Sequence, residues 1–312
     1  MGICCSVFIK TDVIQEFCIK LPNSVKYIKY SDIDKTFNEH ENINDMLKNL
    51  YKNKVWNNWI VYNDQIEKIG IQKTSKGHCK GIIAWNKSKI SWLCHSTPNF
   101  PKYFDGCNIS ELEKGEHIYG QSYQYIEVHY SDNLLNSIIQ QITIMEANIY
   151  IEKYDNCTDI HKNILSIRYN TNTNYNIKID FNKIYLSDKI IHIAKSSKNN
   201  IDIYSDYIAK KYNSIWYIET WMRGLHIEDC EERKTHHLIK DISNLKYNSY
   251  KYNEKQDHSK WGATKNMYWV GDLNRMTSQF RRGGGGFLIK NTDISCALMN
   301  LIDNENNNEN NN

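Results

Sequence analysis

The chain has 312 residues, of which 40% are hydrophobic, 12% aromatic and 24% charged. This length suits one large domain or two small ones, and the aromatic content, with only 14 glycines and 3 prolines, excludes collagen, coiled-coil and acidic disordered classes. The formal net charge of +3 neither indicates nor excludes a nucleic-acid partner.

The N-terminal sequence MGICCSVFIK has no basic segment and too short an apolar run for a secretory signal. Gly2 and Ser6 fit the myristoylation pattern M-G-x-x-x-[ST], so a lipid anchor at Gly2 is one interpretation and an ordinary chain start is the other. No run reaches the roughly 18–20 apolar residues of a transmembrane helix. Nine scattered cysteines without C-x-x-C favour reduced thiols, so we expect an intracellular, cytoplasmic location.

Two segments share one order of elements, namely strand, strand, glycine-bearing turn, strand and helix. The first begins near Gly77 and ends in a helix predicted over 131–145, and the second begins at Asp257 and ends in a helix predicted over 292–302. Each opens with H-x-K, which indicates an internal duplication with a period near 180 residues. The strands predicted in these segments are 78–85, 90–96, 122–128, 267–275 and 287–290.

The pattern predicts an α/β (α+β) chain with mixed sheets, in two duplicated halves that are each a sheet flanked by helices. Between the two segments lies a polar stretch rich in Asn and Tyr, followed by a predicted strand at 190–195, a helix at 202–212 and a strand at 216–221. Within a single domain 1–312, the predicted divisions are an N-terminal half 17–151, a connector or insertion 152–188, a C-terminal half 189–302 and a disordered Asn-rich tail 303–312.

The H-x-K motif places two catalytic groups on one face of a strand, because residues i and i+2 point the same way. His78 with Lys80, and His258 with Lys260, would each present an imidazole beside an ammonium. Together they can cleave a phosphodiester without metal: one histidine attacks phosphorus, the other protonates the leaving oxygen, and the lysines neutralise the phosphate oxygens. Chance predicts about one H-x-K in this composition, so the motif needs its context.

Polar residues follow an apolar strand in both segments. His95 lies 17 residues after His78, and Asn274 lies 16 residues after His258. Such a residue either points into the same site or marks the place where the strand leaves the core. Both interpretations stay open from the residues alone.

At this point the chain resembles the deoxyribonuclease II family, whose fold belongs to the phospholipase D superfamily. The matching stretches are ordered from about residue 17 to residue 301, and DHSKW at 257–261 and WLCHSTP at 92–98 are the most specific. The other matching stretches are HCKG 78–81, GQSY 120–123, AKS 194–196, DIY 202–204, ETW 219–221, GDLNRM 271–276, SQ 278–279 and RGGG 282–285.

The resemblance implies a phospholipase D-like pseudo-dimer in which His78, Lys80, His258 and Lys260 form two catalytic half-motifs and His95 is a further functional histidine. In related two-motif enzymes the N-terminal histidine is usually the nucleophile, so we assign His78 as nucleophile and His258 as general acid. The resemblance also implies cleavage of double-stranded DNA without metal or other cofactor, best at acid pH, leaving 3′-phosphate and 5′-hydroxyl ends.

Basic residues near the second half-motif are candidate phosphate contacts. The arginines flank the glycine run 283–286, which would be either a backbone-amide nest that binds phosphate or a flexible turn with a solvated basic edge. Lys195 and Ser196 enter by the resemblance. The candidates for DNA binding are Lys195, Ser196, Arg275, Arg281 and Arg282.

Glu219 is either a carboxylate that orients a catalytic histidine or a satisfied interior carboxylate. We expect no metal site, because His226, Cys230, His236 and His237 have a spacing that fits no zinc pattern. Five tryptophans on strand-like runs are predicted to pack in the core rather than to stack on bases. They are Trp85, Trp92, Trp221, Trp261 and Trp269.

The chain departs from the family in lacking cysteines within GQSYQY, WVGD and GGGF, where members usually have them, and in lacking the secretory signal. Both departures favour an intracellular form over the family's lysosomal location. Two alternatives to a DNA endonuclease stay open, a phosphodiesterase acting on another substrate and a DNA-binding or decoy protein without turnover. Two half-motifs in one chain suffice for a monomer, and a homodimer is the alternative.

Overall fold

The computed structural model describes residues 13–66, 76–155, 164, 181–222 and 238–303. Two large sheets make up most of this part of the chain, and short helices flank them. The predicted mixed α/β class is therefore confirmed, with more strand than helix.

The first sheet comes from the N-terminal half. Its eight strands are β1 Ile14–Lys20, β2 Tyr27–Ser31, β3 Thr36–His40, β4 Asn58–Asn63, β5 Lys80–Trp85, β6 Lys89–His95, β7 Gln121–His129 and β8 Ile149–Lys153. They lie in the order β3-β2-β1-β7-β6-β5-β4-β8, and all neighbours are antiparallel.

The second sheet comes from the C-terminal half. Its seven strands are β9 Phe181–Tyr185, β10 Ile190–Lys195, β11 Trp216–Thr220, β12 Ile239–Asp241, β15 Lys260–Ala263, β16 Met267–Gly271 and β17 Gly284–Lys290. The order is β12-β11-β15-β16-β17-β10-β9, and β11 with β12 is the parallel pair. A separate hairpin joins β13 Asn244–Tyr247 to β14 Tyr250–Asn253.

Five strands in each sheet follow the same order. In the first sheet β1-β7-β6-β5-β4 are neighbours, and in the second β10-β17-β16-β15-β11 are neighbours, all antiparallel. The chain also visits them in the same sequence, and a helix follows β7 and β17 alike. Position by position, the strand that follows each H-x-K histidine is therefore β5 in one half and β15 in the other.

The helices are short. They are α1 Ile43–Tyr51, α2 Asp132–Ile144, α3 Lys210–Tyr212, which continues the π-helical segment Ile203–Ala209, α4 Thr277–Phe280 and α5 Thr292–Met299. The two corresponding helices, α2 and α5, begin in the same way. The side chains of Ser131 and Asn291 accept hydrogen bonds from the third amide of their helix, at 3.2 Å and 3.0 Å, which satisfies an otherwise unpaired backbone donor.

The hydrophobic core follows the alternation of side chains along the strands. One cluster joins the two sheets and helices α2 and α5: in β5, for example, Ile83 and Trp85 belong to it. Ile82 and Ala84 point to the opposite face, where a second cluster packs against α1. A third cluster packs the π-helical segment against the outer face of the second sheet. The shared cluster holds the two sheets together.

The structure agrees with most predicted elements and differs at two places. The strand at 190–195 and the helices near 131–145 and 292–302 are present. The predicted connector 152–188 ends in a regular edge strand, β9. The glycine run is neither a nest nor a turn over Gly284–Gly286, since these residues pair with β10 and β16 on both sides.

The glycines serve close packing instead. A Cβ at Gly283 would overlap the carbonyl oxygen of Met145, and a Cβ at Gly285 would overlap that of Ile193. Only glycine lets β17 approach its neighbours this closely, which explains the run of four.

Several predictions lie outside the described residues. They concern the lipid anchor at Gly2, most of the connector and the tail, and the four residues His226, Cys230, His236 and His237. None of the described helices is long and apolar enough to cross a lipid bilayer. Among the described cysteines, Cys18, Cys79, Cys94, Cys107 and Cys296 are free thiols.

Candidate active site

The first half-motif surrounds a carboxylate that the sequence did not single out. Lys80 begins β5, and the register places it opposite Asn63, the last residue of β4. Asp64 follows at once, so its side chain meets both members of the motif. The Lys80 Nζ lies 2.5 Å from Asp64 Oδ1, and the His78 Nε2 lies 4.0 Å from Asp64 Oδ2.

A guanidinium from the other half completes this charged group. The Arg282 Nη2 lies 3.1 Å from Asp64 Oδ2 and donates to the carbonyl of Lys76 at 2.9 Å. Burial alone would raise the pKa of Asp64, but the charges of Lys80 and Arg282 outweigh it and hold that pKa below its usual range. Asp64 is therefore ionised at any pH at which the enzyme is folded.

His78 is neutral in these surroundings. It is 8% exposed, and burial, followed by the nearby Lys80 ammonium, lowers its pKa well below the usual value, although Asp64 acts in the opposite direction. One ring nitrogen faces Asp64, and the other, Nδ1, has no hydrogen-bond partner in the described part of the chain. An unprotonated nitrogen with a free lone pair is what a nucleophile requires.

The second half-motif has aromatic neighbours instead of charged ones. The His258 ring stacks on Tyr119, with ring centroids 3.9 Å apart and planes 12° apart, and on Trp221, with centroids 3.9 Å apart and planes 51° apart. Lys260 is 3% exposed and its ammonium donates to the carbonyl of His258. Burial, then the Lys80 charge, lowers the pKa of Lys260 to about 7.

Backbone contacts cross between the two halves at this place. The amide of His78 donates to the carbonyl of Gly283 at 2.8 Å, and the amide of His258 donates to the carbonyl of Gly120 at 2.9 Å. These two glycines precede the corresponding strands β17 and β7. Each half therefore holds the catalytic histidine of the other.

The two lysines are tied in the same crossed way. The Lys80 amide donates to Asp272 Oδ1 of the C-terminal half at 3.3 Å, and the Lys260 amide donates to Ser122 Oγ of the N-terminal half at 3.2 Å. The charges of Lys80 and Lys260 also lie close enough to influence each other. Both half-motifs thus belong to one site, formed by one chain.

Asp272 lies beneath this site. It is 4% exposed, and burial raises its pKa to about 7, although the Lys80 charge opposes the rise. The Cys94 thiol also points to Asp272 Oδ1, at 3.6 Å. Asp272 therefore carries a charge that varies near neutral pH.

Lys195, predicted to contact phosphate, supports the site from behind. It is fully buried at the end of β10, and its ammonium donates to the carbonyls of Phe280 at 2.8 Å and Arg282 at 2.6 Å. Lys20, at the end of the corresponding strand β1, donates to the carbonyls of Leu21, Ser24 and His117. An ammonium so enclosed is a structural support for the turn that precedes β17 or β7, and a direct phosphate contact by Lys195 is not what the structure shows.

His95 lies within the site's inner wall. Gly81 pairs with Cys94, so Lys80 and His95 are neighbours across β5 and β6. His95 is 1% exposed and lies against Phe100, with ring centroids 5.3 Å apart. Burial and the Lys80 charge lower its pKa to about 3, so its ring is neutral.

The expected equivalence of His95 and Asn274 does not follow from the register. Trp261 pairs with Val270 as Gly81 pairs with Cys94, and the second hairpin is four residues shorter. Ser96, which follows His95, therefore corresponds to Asp272 rather than to Asn274. Asn274 itself is 6% exposed, and its Oδ1 has no hydrogen-bond partner among the described residues.

The three arginines have three different environments. Arg282 belongs to the charged group around Asp64, as described. Arg275 is 3% exposed, and its guanidinium pairs with Asp202, at 3.0 Å, and with Asp241, which is the arrangement of an interior ion pair rather than of a phosphate clamp. Arg281 is exposed.

Two further candidates are buried. Ser196 follows β10 and is 7% exposed. Glu219 is fully buried in β11, and neither carboxyl oxygen has a hydrogen-bond partner in the described ranges. Burial, then the negative charge of Asp257, raises the pKa of Glu219 well above its usual value. A neutral, unpaired carboxyl fits neither role considered for it, a histidine-orienting carboxylate or a satisfied one.

The sequence reasoning missed four residues of the site, namely Asp64, Asp272, Tyr119 and Trp221. Asp64 and Asp272 each follow an apolar strand, the signal that had selected His95. Trp221 was predicted to lie in the core, but it is only half-buried and contacts His258. Tyr119 gives no signal of its own.

No group of three or more potential metal ligands is present within the described ranges. The charged group at His78 contains one carboxylate and three nitrogen bases or cations. Such a set attracts an anion, since positive charges outnumber negative ones.

The geometry agrees with what comparison with known proteins shows. The family model described as Deoxyribonuclease II matches residues 22–308, nearly the whole chain. The chain belongs to the deoxyribonuclease II family. By this membership it is a nuclease of the phosphodiester hydrolase class.

Relatives within the deoxyribonuclease II family are distant. Deoxyribonuclease-2-beta of Mus musculus is 28% identical over 78% of this chain and 69% of its own. Deoxyribonuclease-2 of Caenorhabditis elegans is 30% identical over 79% of this chain and 64% of its own. Plancitoxin-1 of Acanthaster planci is 27% identical over 83% and 73%. The match thus spans about two thirds of the length of these relatives.

Proposed function

We propose that this chain is an endonuclease that hydrolyses double-stranded DNA without metal, through a phosphohistidine intermediate, to 3′-phosphate and 5′-hydroxyl ends. The observation that carries the proposal is the convergence of both H-x-K motifs in one site, with His78 neutral and the lysines directed to it. The names of its relatives support DNA as substrate.

In the first step, the lone pair of the His78 nitrogen that does not face Asp64 attacks the phosphorus. A P–N bond forms as the P–O5′ bond breaks, and His258, as imidazolium, gives its proton to the leaving O5′. The DNA with the new 5′-hydroxyl end departs, and the 3′ side stays on His78.

In the second step, His258, now neutral, takes a proton from water as the water oxygen attacks phosphorus. The P–N bond breaks, which restores His78 and releases the 3′-phosphate end. Lys80, Lys260 and Arg282 lie where negative charge develops on the non-bridging oxygens, and such preorganised cations stabilise the transition state.

An acid pH preference follows from the same groups. A free imidazole titrates near pH ~6.5, so the proton required on His258 is present mainly below neutrality. Lys260, with a pKa of about 7, gains its positive charge over the same range. His78 stays neutral there because its pKa is lowered.

The fold proposed for this mechanism is a phospholipase D-like pseudo-dimer. The shared order of five strands and the crossed contacts of Gly120 and Gly283 support it. One chain supplies both half-motifs, so a monomer is the proposed active unit.

Nicking of supercoiled plasmid in EDTA, at pH 5 and pH 7, tests the proposal. We expect cleavage by the parent, more at pH 5, with 3′-phosphate ends, and loss of cleavage in His78→Ala and His258→Ala. His129→Ala is the matched control, since His129 is exposed at the end of β7. Undiminished cleavage by either active-site variant, or cleavage only with Mg²⁺, would contradict the mechanism.

The same assay separates the alternatives. Tight DNA binding without nicking would indicate a decoy protein. Hydrolysis of bis-p-nitrophenyl phosphate without cleavage of DNA would indicate a phosphodiesterase for another substrate.

A further inference from the structure

The two rings that enclose His258 come from different places in the chain. Tyr119 immediately precedes Gly120, whose carbonyl holds the His258 amide, and Trp221 immediately follows β11. The two rings also contact each other, with centroids 6.2 Å apart. Both are half-buried, so the enclosed imidazole lies at the edge of the protein, at the open side of the site.

The corresponding positions around His78 carry charges. Arg282 immediately precedes Gly283, as Tyr119 precedes Gly120, and Asp64 immediately follows β4, as Trp221 follows β11. The duplicated backbone therefore brings the same two positions to each histidine. One pair is Asp64 with Arg282, and the other is Tyr119 with Trp221.

The physical consequences differ. A carboxylate and a guanidinium fix His78 by directional electrostatic contacts. Two aromatic faces fix the plane of the His258 ring and shield it from water, while leaving both ring nitrogens at its edge. The negative faces of aromatic rings also attract a cation, so the stack accommodates an imidazolium.

We propose that Tyr119 and Trp221 are positioning residues for the general acid: they hold the protonated His258 ring with an N–H edge toward the leaving O5′. The proposal rests on the function proposed above, in which His258 protonates that oxygen. The aromatic rings exchange no proton. They set the distance and angle over which the His258 proton moves as the P–O5′ bond breaks, and a misplacement of 1 Å can cost about 10²-fold in rate.

The test uses two substrates that differ in their need for an acid. A DNA oligonucleotide has an alkoxide leaving group that must be protonated, whereas thymidine 3′-(p-nitrophenyl phosphate) releases p-nitrophenolate, which leaves without a proton. We expect Tyr119→Leu and Trp221→Leu to lower kcat on DNA by about 10- to 100-fold. On the p-nitrophenyl ester the same variants should lose less than about threefold, because only the acid step is disturbed.

Conservative variants separate ring stacking from general packing. Tyr119→Phe and Trp221→Phe keep an aromatic face and should restore most of the rate that the leucine variants lose on DNA. Tyr185→Leu is the control, because Tyr185 is an exposed tyrosine on β9. Thermal unfolding of each variant shows whether it is folded, and the phenylalanine variants keep the test valid if a leucine variant is not.

The outcomes are distinct. Equal losses on both substrates, or no loss on DNA, would overturn the positioning role. His258→Ala decides separately about the proposed function: if it too loses equally on both substrates, then His258 is not the acid. If His258→Ala is selective for DNA and the aromatic variants are not, only the present inference fails.

Discussion

The two catalytic histidines occupy corresponding places in two sheets of the same strand order, and their surroundings differ in kind. His78 lies between Asp64 and Arg282, whereas His258 lies between Trp221 and Tyr119. The backbone contacts are alike, since each histidine amide is held by a glycine carbonyl of the other half. Duplication thus sets where the groups lie, and a few side chains set their roles.

The difference suits the chemistry proposed for the site. A nucleophilic histidine must be neutral, and burial beside cations lowers the pKa of His78. A general acid must carry a proton, and aromatic faces tolerate a cation where a second guanidinium would repel it. A site with two identical surroundings would not separate these roles.

Removing the charge at His78 should have the largest effect. Asp64→Asn keeps the shape but loses the anion that pairs with Lys80 and Arg282. We expect kcat to fall about 10²-fold or more on both DNA and thymidine 3′-(p-nitrophenyl phosphate), because the nucleophile and its cations are displaced. Selective loss on DNA would contradict the assignment of Asp64 to the nucleophile side.

The two buried lysines offer a matched pair that sharpens the comparison. Lys195 supports the turn that leads to Arg282 and Gly283, and Lys20 supports the turn that leads to Tyr119 and Gly120. Lys195→Met should lower kcat about tenfold on both substrates, and Lys20→Met about tenfold on DNA only, each equivalent to ~1.4 kcal/mol. Identical substrate profiles for the two variants would break the proposed division between the halves.

The pH dependence of binding should change by severalfold in one variant. Lys260 has a pKa lowered to about 7, so its positive charge is present below pH 7 and is lost above it. In the parent we expect KM for DNA to rise between pH 6.5 and 8 by severalfold. Lys260→Arg keeps its charge over this range and should flatten the rise, and KM measured from pH 5 to pH 8.5 shows whether it does.

The pH dependence of stability should be modest and of a stated sign. Burial lowers the pKa of Lys20 and of Lys195 from 10.5 to about 8. The unfolded chain therefore binds more protons between these values, so the free energy of unfolding should rise as the pH increases from about 8 to 10.5. Below pH 8 these groups add no slope. Urea unfolding of the parent and of Lys195→Met should show a shallower rise in the variant.

The smallest effect is expected at the arginines outside the charged group. Arg281 is exposed, and a phosphate contact there would make Arg281→Ala reduce the slope of log affinity against log salt by about one. Arg275→Met should leave that slope unchanged, because its guanidinium is held by Asp202 and Asp241. Binding to a DNA duplex at several salt concentrations distinguishes them.

The sequence indicated the reactive groups better than their surroundings. Both H-x-K motifs, the duplicated order of elements and the helices after β7 and β17 follow from local patterns. The partners of His258 do not, because Tyr119 belongs to the other half and meets His258 only in the folded chain. No pattern in one sequence reports a contact across that separation.

Two errors have local causes. Equal spacing along the chain suggested that His95 and Asn274 correspond, but the shorter second hairpin shifts the register so that Ser96 corresponds to Asp272. The four glycines suggested a loop, since glycine favours turns. They belong to a strand, where close approach to Met145 and Ile193 requires the absence of Cβ.

The central claim is that His78 is the nucleophile and His258 the acid, and then the base, of one metal-independent site. It is tested most directly by trapping the intermediate in His258→Ala with thymidine 3′-(p-nitrophenyl phosphate) in EDTA. This variant can form the P–N bond because the leaving group needs no proton, but it hydrolyses the bond slowly because water lacks its base. We predict a burst of p-nitrophenolate and a thymidine 3′-phosphoryl adduct on the peptide that contains His78, detected by mass spectrometry under alkaline conditions. Steady turnover without an adduct, or an adduct on any other residue, would contradict the account.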